Sequence, residues 1–218
     1  MKMYSLNKNY FAIPNLENCY WAGFIAADGC LWKRGDAVEL SLQERDKSHL
    51  ENFAKCVGYN GPIVKRKSAG SFPTKQECYR IICYHTQQWH QDLGMNFNIT
   101  PCKSLTLRPP NLSSDLALAF IAGYIDGDGC INIDISRKDG IRISMLGTEG
   151  LLMWVKNIVD QISKYNYNNQ GFASPRKHRN VFQYQVRGKR AADIFNVVKQ
   201  LNLPTIKRKW SKFDYVPH

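Results

Sequence analysis

The sequence predicts a mixed α/β (α+β) fold made of two related lobes, each ordered helix, strand pair, helix, strand pair, helix. Three observations predict it: an internal repeat, apolar residues at helical spacing, and stretches of alternating polar and apolar residues. In the repeat, residues 21–30 read WAGFIAADGC and residues 121–130 read IAGYIDGDGC, so six of ten positions are identical. We therefore expect the two lobes to be related by a pseudo-twofold axis.

The elements after each repeat follow the same order in both halves of the chain. Apolar side chains at i, i+3, i+4 and i+7 predict one amphipathic helix per half, at Leu50, Phe53, Ala54 and Val57 and at Leu151, Trp154, Val155 and Ile158. Asp46 and Thr148 precede these helices as candidate N-caps. Alternation over residues 131–136 and 182–187 predicts antiparallel strands, and shorter helices are expected near 86–93 and 189–201.

A connecting segment between the lobes is predicted at residues 104–115, which contain Pro109, Pro110 and three serines. The expected division is an N-terminal lobe at 1–103, this linker, and a C-terminal lobe at 116–218. Ser113 or Ser114 is expected to cap the helix that follows the linker.

Composition narrows the classes of function. A net charge of +12 implies an anionic partner, and polyphosphate backbones are the commonest large one. No apolar run is long enough to span a membrane, and the N-terminus lacks a signal-peptide core, so we expect an intracellular protein of the cytoplasm, nucleoid or an organelle. Seven cysteines in no scaffold-like spacing predict reduced thiols, and the absence of G-x-G-x-x-G argues against a dinucleotide site.

The repeated segments themselves are predicted to be helices that pack against each other as the lobe interface. Residues 16–27 and 116–127 are apolar, and small side chains permit two backbones to approach closely. The small residues are Ala22, Gly23, Ala122 and Gly123, and Gly29 and Gly129 are expected to end the two helices.

Asp28 and Asp128 would then lie together at two helix C-termini, where the helix dipole and their mutual repulsion disfavour negative charge. A single Asp-Gly is commonly only a turn or a helix stop. Two matched copies in a basic chain favour a metal site instead. Mg²⁺ suits it, because this ion takes few protein carboxylates and completes its shell with water and phosphate oxygens.

The sequences WAGFIAADG and IAGYIDGDG resemble the two signature motifs of monomeric LAGLIDADG homing endonucleases, and the likeness covers nearly the whole chain. The resemblance implies saddle-shaped antiparallel sheets and a monomer that cuts both strands of a long DNA site, leaving short 3′ overhangs. It makes Asp28 and Asp128 the catalytic acids, which hold two or more Mg²⁺ or Mn²⁺ ions at the lobe interface.

The resemblance also implies less symmetric site residues. Glu44 occupies a polar position after the second strand, with Gly147 as its counterpart, and Lys189 or Arg187 matches a basic residue before the last helix. His85 is the weaker match in the first lobe. At the sixth motif position Ala26 faces Asp126, for which we expect helix-end solvation rather than metal binding.

Polar strand residues are expected to read bases in the DNA major groove, as the family's saddle implies. First-lobe candidates are Lys33, Glu39, Ser41, Lys65, Lys67 and Arg80. Second-lobe candidates are Asn132, Asp134, Ser136, Arg142, Ser144, Gln183, Gln185 and Arg187. Phosphate contacts are expected from Arg137, Lys138, Arg176, Lys177 and Arg179 and from the tail Lys207, Arg208 and Lys209.

Two alternatives use the same basic scaffold. One is a maturase that helps an intron RNA to splice, and the other is a DNA-binding regulator without catalysis. Intact Asp28 and Asp128 favour cleavage, because a regulator would more readily lose one of the acids.

Overall fold

The computed structural model describes residues 4–67, 77–133, 140–165, 172–173 and 181–215. The helices are α1 (Leu16–Asp28), α2 (Lys47–Cys56), α3 (Gln87–Phe97), α4 (Ser114–Asp128), α5 (Glu149–Ile162), α6 (Gly188–Gln200) and α7 (Lys207–Trp210). The strands are β1 (Cys30–Leu31), β2 (Ala37–Gln43), β3 (Val64–Lys67), β4 (Glu77–Tyr84), β5 (Cys130–Ile133), β6 (Ile141–Gly147), β7 (Phe172–Ala173) and β8 (Phe182–Arg187).

The mixed α/β class and the repeated element order are confirmed. Each half forms one antiparallel four-stranded sheet, in the order β1-β2-β4-β3 and β5-β6-β8-β7. The middle strand pair of each sheet lies beside the half's amphipathic helix, α2 or α5. The C-terminal turn α7, with the 3-10 turn Ser211–Tyr215 that follows it, was not predicted.

Helices α1 and α4 lie at the centre of one continuous core. Nearly every side chain between Asn18 and Ala26 is buried, and the same holds between Ala117 and Asp126. A helix that is apolar on all sides belongs inside a protein, where each face meets a different neighbour. Here one face of each helix meets the other helix, and the remaining faces pack on the sheets and outer helices.

The helix starts show which capping predictions were right. Thr148 caps α5, because its side chain accepts a hydrogen bond from the Leu151 amide at 3.4 Å. Asp46 stands at the N-cap of α2 but makes no capping bond, since its carboxylate is paired with Arg208. Ser113 holds the N-cap position of α4, also without a side-chain bond.

The predicted linker is not wholly extended, because it begins within the 3-10 turn Lys103–Leu105. The division into two lobes at residues 103 and 116 stays a prediction. Residues 1–103 and 116–218 are called the first half and the second half below. All seven cysteines lie among the described residues and are free thiols. Among those residues no helix is long and apolar enough to cross a membrane.

Candidate active site

The site is built on the contact between α1 and α4, whose backbones touch at two glycines. A Cβ atom on Gly23 would lie 1.9 Å from the Phe120 carbonyl oxygen, and one on Gly123 would lie 1.9 Å from the Tyr20 carbonyl oxygen. Only glycine fits at such distances. The reciprocal contact, with Ala22 and Ala122 fully buried on the same helices, brings the two C-terminal ends together.

Each helix ends at the motif's Asp-Gly pair. The Gly29 and Gly129 amides donate to Ile25 and Ile125 carbonyls at 3.0 and 2.9 Å, with both glycines in extended conformation (φ −82° and −79°). Left-handed geometry is therefore not why glycine stands here. A Cβ would lie under 3 Å from the preceding helical turn, 2.8 Å for Gly29 and 2.6 Å for Gly129.

Asp28 and Asp128 end the two helices with solvent-exposed side chains. The pKa of Asp28 is raised to about 6, mainly by desolvation and to a smaller extent by the negative charge of Asp128. Desolvation also raises the pKa of Asp128. In both cases Lys209 and Lys103 act in the opposite direction. The structure thus places two interacting carboxylates and two lysines in one electrostatic environment.

The two lysines are functional candidates that the sequence analysis missed or misplaced. The Lys103 ammonium is buried and donates to the Gly29 carbonyl. The Lys209 ammonium is buried and donates to the carbonyls of Ile125, Asp126 and Gly129 at 3.0, 2.7 and 2.9 Å. Both cations therefore neutralise a helix C-terminus. The available signal was a lysine shortly after a proline, following the last helix of each half.

A cavity of 190 Å³ adjoins this centre and shows which groups share it. Asp128, Lys103, Tyr124 and Gly147 line it, so residues of both halves meet at the Asp128 carboxylate. Gly147 has no side chain and therefore offers no polar side-chain group to this cavity.

The predicted pairing of Glu44 with Gly147 is wrong. The motif cysteine of each half pairs across its sheet, Cys30 with Glu39 and Cys130 with Ser144, so Glu39 and Ser144 occupy equivalent positions. Gly147 lies three residues after Ser144, and its equivalent three residues after Glu39 is therefore the buried Leu42. Glu44 lies in the 3-10 turn after β2, where its charge acts on Lys47 and Lys65. The structure does not bring it to the two acids.

The prediction that Lys189 is the basic residue of the second half beside the acids is also wrong. Lys209 takes this role, because its charge acts on both Asp28 and Asp128. Lys189 lies in the first turn of α6, and its ammonium group is 4.8 Å from the centre of the Tyr165 ring. Arg187 donates to Gln185 at 3.3 Å, on the outer face of the second sheet. His85 is exposed between β4 and α3, with a positive φ of 60°.

The second sheet gathers the described base-reading candidates on one face. Cross-strand partners share a side of a sheet. The pairs Asn132 with Arg142, Arg142 with Arg187, Ser144 with Gln185 and Leu146 with Gln183 put the six polar candidates Asn132, Arg142, Ser144, Gln183, Gln185 and Arg187 together. The same face begins at Cys130, which follows the Asp128-Gly129 pair directly in the chain. It therefore extends from the acids outward.

In the first sheet, only some of the predicted base-reading residues lie on the outer face. Glu39, Ser41 and Arg80 share its outer face, with Glu39 accepting from Arg80 at 3.4 Å and from the Trp32 indole at 3.2 Å. Lys33 is exposed in the β1–β2 turn.

The prediction for β3 is wrong by one residue. Lys65 pairs with Tyr79, which pairs with the buried Leu42, so Lys65 belongs to the inner face and forms an ion pair with Glu77. Arg66, two residues from the partner of Arg80, shares the outer face instead. Lys67 pairs with Glu77 through its backbone.

Several candidates lie outside the described residues, namely Asp134, Ser136, Arg137, Lys138, Arg176, Lys177 and Arg179. Of the three basic residues in the tail, Lys207 is exposed and remains a candidate for a phosphate contact. Arg208 pairs through two nitrogens with Asp46, at 2.6 Å for Nε, and Lys209 is buried. The expected phosphate contacts from Arg208 and Lys209 are therefore corrected to structural ones. The expectation that Asp126 is solvated at the helix end is also wrong, because its side chain is buried and only 2% exposed.

The two carboxylates fit a metal ion that needs few protein ligands. Among the described residues no cluster of three or more His, Cys, Asp or Glu side chains occurs. Asp28 and Asp128 therefore suit hard ions such as Mg²⁺, which accept one or two carboxylates and take remaining oxygens from water and substrate. Their mutual repulsion is the electrostatic strain that a cation relieves.

Several solved structures share this fold. The LAGLIDADG meganuclease I-AabMI bound to uncleaved DNA matches with a TM-score of 0.53 and 14% identity over 92% of this chain and 88% of that chain. The LAGLIDADG homing endonuclease I-LtrWI bound to target DNA matches with 0.53 and 16% over 95% and 88%. I-SmaMI bound to an uncleaved DNA target in the presence of calcium ions matches with 0.51 and 13% over 92% and 89%.

These structural matches establish the fold, which is that of the LAGLIDADG meganucleases. No family model and no curated protein matches the sequence.

Proposed function

We propose that the chain is a LAGLIDADG homing endonuclease, which hydrolyses phosphodiester bonds in both strands of a long DNA site with Mg²⁺ or Mn²⁺. One observation carries the proposal: Asp28 and Asp128 end two helices in backbone contact, and share the influence of Lys103 and Lys209. The fold shared with DNA-bound nucleases supports it.

Asp28 and Asp128 would hold the ions in their deprotonated form. With a pKa of about 6, Asp28 is ionised at neutral pH, and the positive charges of Lys103 and Lys209 favour that state. When bound, two ions supply an activated water and stabilisation of the leaving 3′ oxygen. Lys103 retains ammonium protons beyond the one given to Gly29, and these can bind a phosphate oxygen at the cavity beside Asp128.

The DNA would lie on the outer faces of the two sheets. In the second half this face presents amide, hydroxyl and guanidinium groups, which match base edges in the major groove. The net charge of +12 favours the phosphate backbone without specifying a sequence. Because each half supplies one acid, the chain contains both parts of a two-strand site, and we propose that it acts as a monomer.

A selection for cleavage from a randomised double-stranded DNA library in Mg²⁺ tests the proposal. We expect one long site to be enriched, with sequenced ends that carry short 3′ overhangs. Enrichment by binding without cleavage would favour the regulator, and tight binding of a structured intron RNA without DNA cleavage would favour the maturase. Either outcome would contradict the endonuclease.

A further inference from the structure

Asp126 is a buried acid that the proposed reaction does not use. It lies one helical half-turn before Asp128 and is 2% exposed. Its carboxylate accepts three hydrogen bonds, from the Tyr20 hydroxyl at 2.7 Å, the Ile206 amide at 2.9 Å and the Trp210 indole at 2.9 Å. A buried carboxylate with three donors is a fixed structural point, because each lost bond leaves a desolvated partner.

Two of these three bonds hold the C-terminal turn at residues 206–210, which carries Lys209. Ile206 and Trp210 flank Lys209 on both sides, so Asp126 fixes the backbone from which the lysine side chain extends. The Lys209 ammonium in turn donates to the carbonyl of Asp126 at 2.7 Å. Carboxylate and ammonium therefore hold each other in place through separate atoms.

Among the residues of the first half that the structure describes, no such arrangement occurs. Ala26 occupies the motif position of Asp126 and has no acceptor in its side chain. Among the described residues, Lys103 donates to one carbonyl, that of Gly29, whereas Lys209 donates to three. An ammonium group has three protons to donate, so Lys209 has used all of its donors and Lys103 has not.

We propose that Asp126 is a positioning residue that locks Lys209 onto the end of α4, which makes the two lysines of the site unequal. Lys209 acts as a fixed positive charge, and Lys103 is the lysine with protons available to a substrate phosphate. The lock on Lys209 is a property of the folded chain, and only its effect on cleavage rests on the proposed function.

The structure offers a matched pair of substitutions. Trp210→Phe and Tyr20→Phe each remove one donor to Asp126, and each keeps an aromatic ring. Trp210 belongs to the turn that carries Lys209, whereas Tyr20 belongs to α1. Asp126→Ala removes all three bonds, and the two milder variants keep the test valid if it fails to fold.

Reductive methylation followed by mass spectrometry measures the reactivity of each lysine in the metal-free protein. We expect Asp126→Ala and Trp210→Phe to raise the methylation rate of Lys209 by roughly tenfold or more, because a bond to a charged group is lost. The rate of Lys103 is expected to stay within about twofold, and Tyr20→Phe to change neither lysine. Equal increases at both lysines, or none at Lys209, would overturn the proposal.

A double-mutant cycle measures the consequence for cleavage. On a DNA site that the wild-type protein cuts, Asp126→Ala is expected to add little to the defect of Lys209→Met and its full effect to that of Lys103→Met, because linked residues are non-additive. Full additivity with Lys209→Met would contradict the positioning role. A wild-type protein that cuts no DNA would count against the proposed endonuclease alone, since the methylation result is independent of it.

Discussion

Asp28 and Asp128 are placed where a carboxylate is disfavoured and a cation is wanted. Desolvation raises the pKa of both carboxyl groups, and the negative charge of Asp128 raises that of Asp28 further, in contrast to a stabilising surface acid. The same groups should therefore weaken the metal-free fold. Residues that serve a reaction commonly conflict with stability in this way.

Asp28→Asn is expected to stabilise the metal-free protein at pH 8. The folded pKa of about 6 exceeds the ordinary 3.8, so the folded state binds the proton more tightly and the free energy of unfolding falls as pH rises from about 4 to about 6. The side chain is exposed, which limits the gain to about 1 kcal/mol or less. Thermal melts in chelator between pH 4 and 8 measure it, and a lower Tm for the variant at pH 8 would contradict the account.

His49 should act with the opposite sign. It is 6% exposed against Trp21 and Phe24, and desolvation lowers its pKa to about 4. Below about pH 6.5 the unfolded chain binds a proton that the folded state refuses, so stability is lost as pH falls toward 4.

We expect the free energy of unfolding of the wild type, relative to His49→Phe, to fall by about 3 kcal/mol between pH 7 and pH 4. The ring of the variant keeps the aromatic contacts, and Tyr20 keeps its bond to Asp126. Denaturant titrations at several pH values measure the difference. A difference that does not vary with pH would exclude His49 as its source.

At this scale the sequence was informative about the acids and poor about the cations. Asp28 and Asp128 stand in a repeated motif, and their helix ends are visible in the pattern. Lys103 and Lys209 each follow a proline after the last helix of their half, but the carbonyls that they bind lie more than 70 residues away in sequence, so this local pattern does not reveal the contact. Asp126 was assigned to solvent because its partners, Tyr20 and Trp210, come from distant segments.

Helices α1 and α4 show what a small-residue motif contributes to an element. Their glycines are needed because each lies against a carbonyl of the opposite helix, at Phe120 or Tyr20. The repeat, together with the small residues in both copies, predicted this contact. It could not predict the extended backbone at Gly29 and Gly129, because C-cap glycines usually adopt a left-handed conformation.

Gly23→Ala is expected to destabilise the protein by about 3 kcal/mol or more, since the new methyl group would overlap the Phe120 carbonyl and force the helices apart. Gly94→Ala in α3 is the matched control. A Cβ at Gly94 meets no atom within 4 Å, so alanine should stabilise by up to about 1 kcal/mol. Urea denaturation of both variants checks the pair, and equal effects would refute the helix contact.

The strands show where alternation fails as a guide. In β6 and β8, buried residues between polar ones fix the outer face, and the prediction for that sheet agrees with the register. The β3 sequence VKRK has a single apolar residue, so nothing local decides which basic side chains point outward. Pairing with β4 selects Arg66.

Arg66→Ala should weaken DNA binding more than Lys65→Ala. Arg66 shares the outer face with Arg80, whereas Lys65 lies on the inner face, paired with Glu77. We expect loss of one phosphate or base contact, about 1 to 3 kcal/mol, for Arg66 and a smaller loss for Lys65. Fluorescence anisotropy on the selected site over a salt series measures both. A larger effect from Lys65 would place the DNA elsewhere.

Side-chain hydrogen bonds join the two halves of the molecule, in addition to the contact between the backbones of its central helices. Arg208 of the C-terminal turn binds Asp46 of the first half directly. Tyr20 of the first half binds Asp126, which in turn accepts hydrogen bonds from Ile206 and Trp210 of that turn. The two halves repeat in sequence and topology, and the 3-10 turn Lys103–Leu105 takes the place of α7 in the first half. In the part of the chain that the structure describes, however, the hydrogen bonds around Asp126 have no counterpart at Ala26. The repeat predicts the symmetric framework, and the differences between its copies mark where the site is asymmetric.

The central claim is that one acid from each half is needed to cut both strands. A supercoiled plasmid that carries the selected site, incubated in Mg²⁺ with wild type, Asp28→Asn or Asp128→Asn, tests it most directly, with a gel-shift assay on the same site. We predict that the wild type linearises the plasmid, and that each variant fails to linearise it while its affinity for the site stays within about threefold. Linearisation by either variant at the wild-type rate would contradict the account.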